Sequence, residues 1–296
     1  MVTPELKNKT SEKYYYEDGR RFNSSVRYIL PSDKEENARL LEQHLCFKNL
    51  LDGNYLAPVK QQLEKGIPVL DSACGYGASW TVEMAKDYPN SQFFGVDISD
   101  GFPAKGRAPI NTSFSIGNVA KEIPSPDNTF VFAYQRLVFA ALTGEDWDNN
   151  LREMYRVIKP GGFVQLLEHN LTPYSEGPLF TEACKLMEQG FESENFIFYI
   201  STELKDRLEN AGFINCVTKI TEYPVNHGTN GDSNWRALRG AFKGASPLLT
   251  KFFTGGDGEG KYDRFLDAVG NEVTEYRSYV KFYTIYAQKP FIDQQK

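Results

Sequence analysis

From Ile67 to His169 the chain repeats one pattern: a short apolar run, a turn, then a polar loop or a stretch with helical spacing. The apolar runs are "IPVLDSA", "SQFFGVDIS", "TSFSIGNV", "NTFVFAYQRL" and "FVQLLEH". "SWTVEMAKDYP" and "DWDNNLREMYRVIKPGG" are amphipathic stretches, stopped by Pro89 and by Lys159, Pro160 and paired glycines. Strands that read as continuous apolar runs, joined by crossover helices, form parallel sheets with helices on both faces. Ligands of such sheets sit beyond the carboxyl ends of the strands. The residues that end each run are therefore the first candidates for function.

Beyond this repeat, "STELKDRLENAGF" predicts a helix, while "CVTKITEYPV" and the alternating "SYVKFYTIYAQKP" predict strands. The segment 226–276 between them reads as helical and interrupted by glycines. Two late strands around a helical excursion predict an antiparallel pair at the sheet edge, with the excursion folded over the ligand end. At the other terminus, residues 1 to about 25 are charged and weakly periodic, and a loose arm is expected. "KEENARLLEQHLCFKNLL" after the start signal "PSD" predicts a helix over 34–51, and a second helix is expected over 58–65 before Gly66 and Pro68. The organisation expected is an arm and helical cap over 1–66 and a core over 67–296, with insertions on the ligand side near 171–200 and 226–276.

A net charge of −6 without a long Lys/Arg run disfavours nucleic acid as a partner. Cys46, Cys74, Cys184 and Cys216 are widely spaced, which suggests neither a disulfide framework nor a metal site. The N-terminal stretch lacks the apolar core of a secretory signal, and no apolar run is long enough to span a bilayer. The expectation is a soluble, cytoplasmic protein with no membrane partner; a homodimer packed through the N-terminal arm stays open.

The loop in "VLDSACGYGASW" narrows the ligand. Gly75 and Gly77 allow sharp turns and close approach, but a dinucleotide fingerprint wants a third glycine where Trp80 stands. No G-K-[ST] follows, so a Walker A loop is excluded. Asp71, at the strand end, would repel a pyrophosphate and attract a ligand carrying an ammonium and a sulfonium. Asp97 ends the next strand, where an acid can accept hydrogen bonds from both ribose hydroxyls. A cationic nucleoside with a free ribose is S-adenosylmethionine. Asn118 after the third strand suits the adenine edge, with the Val119 backbone pairing a ring nitrogen. Tyr134 and Gln135, near the end of the fourth strand, are further candidates for cofactor contact.

With these residues in place, the chain resembles class I S-adenosylmethionine-dependent methyltransferases. "VRYILPSDKEENARLLEQH", "YLAP", "VIKPGGFVQLLEH" and "YTIYAQKP" resemble, more narrowly, the LaeA-like, UMTA-type methyltransferases of filamentous fungi. The resemblance implies an α/β fold: a Rossmann-like seven-stranded, mostly parallel sheet with an antiparallel last strand, a helical N-terminal cap and helical lid insertions. It also implies a role in secondary metabolism. Asp71, Gly75 and Gly77 match the family's first motif, with Ala73 at its usual first glycine and Ile98 following the ribose-binding Asp97. Val131 replaces a frequent Asp, Arg136 remains at the fourth strand's end, and Arg277 stands where many relatives have a His.

Methyl transfer needs an aligned acceptor and exclusion of water, and a base only where the acceptor holds its proton. His169, beside Glu168 at the end of the fifth strand, ranks first as a base, and His227 at the start of the late insertion is a second candidate. His44 is expected to order the cap. Aromatic residues crowd both insertions: Phe180, Phe191, Phe196, Phe198 and Tyr199, then Trp235, Phe242, Phe252, Phe253 and Tyr262. They suit a flat, aromatic or indole-alkaloid-like small-molecule acceptor. O-methylation of an enol, phenol or N-hydroxyl is the leading expectation. The alternatives are N- or S-methylation and a LaeA-like regulatory protein that binds the cofactor.

Overall fold

The computed structural model describes residues 14–24, 28–169, 171–255 and 260–292. Its centre is a seven-stranded sheet in the order β5-β4-β3-β6-β7-β9-β8. These strands are β3 (Pro68–Ser72), β4 (Gln92–Asp97), β5 (Thr112–Ile116), β6 (Phe130–Arg136), β7 (Ile158–His169), β8 (Ile214–Pro224) and β9 (Tyr279–Gln288). The five strands of the repeat run parallel, and β9 inserts antiparallel between β7 and β8. The sheet is the expected Rossmann-like one.

The helices follow from local signals. Asp33 caps α1 (Lys34–Leu51), accepting the Glu36 amide at 2.9 Å. Thr143 and Asp146 form a capping box at the start of α4 (Gly144–Val157). The remaining helices are α2 (Lys60–Lys65), α3 (Ser79–Asp87), α5 (Pro178–Ser193), α6 (Ile200–Asn210), α7 (Gly231–Gly244), α8 (Ser246–Leu249) and α9 (Lys261–Glu275).

The arm departs from the expected loose chain. Residues 1–13 lie outside the described residues, but Tyr14–Glu17 (β1) and Arg20–Asn23 (β2) pair as an antiparallel hairpin. Its hold on the body is ionic: Arg20 donates to both carboxylate oxygens of Asp33, at 2.8 and 3.0 Å, and Arg21 donates to the Ser32 carbonyl at 2.6 Å. Burial works against the Asp33 charge, yet Arg20 and the amides of Glu36 and Arg21 bring that carboxyl down to about 2. The charges of the arm thus hold the hairpin against the start of α1.

Trp80 and Tyr134 anchor the core between α3 and the sheet. Their rings stack at 4.1 Å and 6°, and the Trp80 indole donates to the Asn54 carbonyl at 2.8 Å. On the same face, the Gln165 side-chain oxygen accepts the amides of Leu56 and Ala57, which fixes the "YLAP" loop onto β7. Trp80→Ala is expected to lower the unfolding free energy by about 3–5 kcal/mol, measured by urea denaturation; a loss below about 1 kcal/mol would remove its anchoring role.

Candidate cofactor and acceptor site

A cavity of about 470 Å³ opens at the carboxyl ends of the parallel strands. That volume suits a small ligand site. The β3–α3 loop forms one wall. Ala73, Gly75, Gly77 and Ala78 all take left-handed backbone, with φ of 55°, 75°, 83° and 47°. Two of the four carry a methyl group in a conformation that disfavours one, so the loop is held from outside. Part of that hold is α1. A Cβ on Gly77 would stand 2.3 Å from the Asn37 side-chain oxygen, and one on Gly75 would stand 3.6 Å from Leu40.

Asp71 and Asp97 both line the cavity, on adjacent strands. Asp97 accepts the Gly75 amide at 2.9 Å through one oxygen and the Ser99 amide and hydroxyl, at 2.8 and 2.7 Å, through the other. The loop is thereby tied to the ribose candidate. Asp71 accepts the Thr81 hydroxyl at 2.5 Å, and its burial raises the carboxyl from 3.8 to about 7. Thr81 and the Arg136 charge oppose that rise, while Asp97 adds to it. Asn118, Val119, Ile98 and Ala73 line the same region, and the Asn118 side chain accepts the Ala120 amide at 3.0 Å.

Other candidates sit elsewhere. Gly77 shapes the loop from behind, its amide given to the Gly101 carbonyl at 2.7 Å. Tyr134 is occupied by Trp80, and Gln135 bridges Ser72 and Asn150 inside the core at 2.8 and 3.0 Å. Neither lines the cavity; Arg136, the next residue on β6, does.

His169 reaches the cavity, its ring set between Phe139 and Phe282 at 4.3 and 4.7 Å. Its Nδ1 accepts the Leu171 amide at 3.1 Å, which leaves the proton on Nε2. Burial lowers its pKa to about 3. Glu168 points into the protein, where it accepts the Val138 amide at 2.8 Å, and burial lifts its carboxyl to about 8. His227 bonds the Ser278 carbonyl at 2.9 Å and does not line the cavity.

Several lining residues come from places the strand-end rule does not reach. Glu36, Arg39 and Phe47 belong to α1, Tyr223 to β8, and Phe282 to β9. Of the aromatic residues in the two insertions, Phe191 lines the cavity, while Phe180, Phe196, Phe198 and Phe242 are core. His44 bonds Glu83 through Nε2 and meets Arg136 through Nδ1 at 3.1 Å, and Lys48 pairs with Glu83. This chain of contacts runs from α1 through α3 to the end of β6.

Residues 69–162 match a family described as a methyltransferase domain. Over that stretch the chain is similar to methyltransferase domains, and the S-adenosylmethionine expected from Asp71 and Asp97 agrees with the match. The chain is 35% identical over 155 residues to the N-methyltransferase sirN of Leptosphaeria maculans, a match covering 52% of this chain and 53% of that protein. It is 25% identical over 281 residues to the N-methyltransferase verN of Clonostachys rogersoniana, covering 90% and 94%. The chain therefore spans about half of the first relative and nearly all of the second. A phosphoethanolamine N-methyltransferase of Haemonchus contortus superposes with a TM-score of 0.50 at 14% identity, over 91% of this chain and 62% of that one, and so shares the fold. Among the described residues, no helix is long and apolar enough to cross a membrane.

Two outcomes are expected from calorimetry with S-adenosylmethionine. Asp97→Ala weakens binding at least about tenfold, the loss of charged hydrogen bonds of about 1.5–3 kcal/mol; unchanged affinity refutes the ribose assignment. A bound cation favours ionised Asp71, so wild-type affinity falls as pH drops below about 7. Asp71→Asn flattens that dependence. The same raised carboxyl costs the unliganded fold stability as pH rises from 3.8 through about 7.

Proposed function

We propose that this protein transfers the methyl group of S-adenosylmethionine to a nitrogen of a small, largely apolar, ring-bearing metabolite. Asp97 takes the ribose hydroxyls, Asn118 and the Val119 backbone take the adenine, and Asp71 faces the cationic end. Ala73, Gly75 and Ile98 shape the passage between them. The cofactor supplies an electrophilic methyl already activated by its sulfonium. What this chain's residues then do is hold the acceptor in line and keep water out. The aromatic wall of Phe47, Phe139, Phe191 and Phe282 suits that task for a flat molecule.

The observation that carries nitrogen over oxygen is the state of His169. Oxygen was the leading expectation because a phenol, enol or N-hydroxyl benefits from a base, and His169 ranked first for that work. With Nδ1 engaged by Leu171 and a pKa of about 3, His169 is a neutral donor through Nε2, without an open basic nitrogen. A nitrogen with a free lone pair needs no proton removed before it attacks. The relatives named as N-methyltransferases support the same reading. His169 serves here as a polar contact on the acceptor, Glu168 as the support of the loop before α4, and His227 as a brace on the segment before β9. Residues 1–66 act as the arm and cap, and the segments 171–200 and 226–276 as acceptor-side insertions.

Incubation with methyl-labelled cofactor and a panel of heteroaromatic amines and phenols, read by NMR, should show N-methyl products; exclusive O-methyl products overturn the reading. Against pH, turnover should lack a limb near 6.5 assignable to His169. Appearance of such a limb, and its loss in His169→Gln, would restore the general base.

A further inference from the structure

The cavity wall contains an ion pair that is not among the residues assigned to the cofactor. Glu36 and Arg39, one turn apart on α1, are bonded in parallel: Nε to one carboxylate oxygen at 2.9 Å and Nη2 to the other at 2.6 Å. Their side chains are 2% and 8% exposed, and both line the cavity. The surroundings are apolar or neutral. Arg39 runs beside α7, where a Cβ on Gly240 would stand 2.8 Å from its Cδ, and Tyr28 and Tyr223 flank the pair. Among the described residues, Arg39 makes one further hydrogen bond, a long one from Nη1 to the Ala237 carbonyl at 3.4 Å.

Such a pair is a poor way to join two helices. Removing both charges from water costs more than their attraction reliably returns, and apolar residues of the same volume pack as well or better. The pair does have something apolar residues lack. After the two parallel bonds are made, the guanidinium still has unused N–H donors and the carboxylate unused lone pairs. Side by side, these offer one neutral site with a donor half and an acceptor half. In a desolvated pocket that site favours a ligand edge that can fill both halves, and disfavours one that leaves them bare.

We infer that Glu36 and Arg39 form the acceptor-recognition site, binding a neutral ring edge that carries an N–H or O–H donor beside a carbonyl acceptor. This rests on the methyltransferase reading and deepens it. The edge is the part recognised; the nitrogen that receives the methyl lies elsewhere on the molecule. An acceptor with a net charge would leave one half of the pair opposed, so the substrate class is neutral, cyclic and amide-like on one side.

The test uses the whole chain saturated with S-adenosylhomocysteine and two flat probes of similar size: 2-quinolinone, which carries the donor and acceptor side by side, and quinoline, which lacks the pair. Calorimetry should show 2-quinolinone binding at least about tenfold tighter to the wild type, about 1.4 kcal/mol. In the double variant Glu36→Leu/Arg39→Met, which fills the same volume without charge, that preference should vanish while S-adenosylhomocysteine still binds. Glu36→Gln, nearly isosteric, provides a second reading should the double variant fail to fold, and it should lose most of the preference. Equal binding of the probes by wild type, no binding of 2-quinolinone at millimolar concentration, or a preference that survives both variants overturns the inference. Failure of wild type to bind S-adenosylhomocysteine counts against the methyltransferase reading instead, and the probe comparison on the free protein still decides the role of the pair.

Discussion

The parallel register of β3 against β4 places two carboxylates at one edge of the sheet, and much of the site is a response to that. Asp71 and Asp97 end adjacent strands with little water around Asp71. Desolvated carboxylates need hydrogen bonds to the charged form or a nearby cation. Asp97 receives the Gly75 and Ser99 groups, while Asp71 has Thr81 and the more distant field of Arg136. The protein thereby leaves one carboxylate incompletely satisfied, a state that a positively charged ligand would complete. The glycine loop takes its shape from the same circumstance, because one of its amides is a donor to Asp97.

The helix α1 shows how a roof is kept over such an edge. Its Asn37 and Leu40 close on the glycine loop, its Glu36 and Arg39 face the cavity, and its His44 and Lys48 connect to Glu83 and Arg136. Successive residues on neighbouring faces of one helix touch the loop, the acceptor half and α3. The N-terminal hairpin fixes the helix start through Arg20 and Asp33. No single contact is strong in water, but together they determine how far the roof stands from the strands.

The parts legible in the sequence were those governed by local rules. Apolar runs with intervening helices specify the parallel sheet, and the α1 boundaries follow from Asp33 and the leucine spacing. That Asp71, Asp97 and Asn118 line the cavity was legible because strand ends face the ligand edge by geometry. Tyr134 and Gln135 show the limit of that rule: the loop side of a strand end belongs to Arg136, and one residue's difference turns a side chain into the core. Contributions from distant elements were not legible, since nothing local in "EENAR" or "TEYPV" states that Arg39 and Tyr223 meet. His169 was found by position, but its state depends on Leu171 and on two rings from β6–α4 and β9. Burial and tautomer are tertiary facts.

That a single helix faces both halves of the cavity bears on how proteins of this kind diversify. A lineage that shifts the α1 backbone to admit a new acceptor also moves the surface that shapes the glycine loop, because Arg39, which lines the cavity, and Leu40, which closes on Gly75, are neighbours in the chain. Substitutions on α5, which lines the cavity through Met187 and Phe191, carry no such linkage. Acceptor range should therefore drift most freely around Met187 and Phe191, while α1 changes slowly and in concert with its neighbours, acting as a brake on innovation rather than its source.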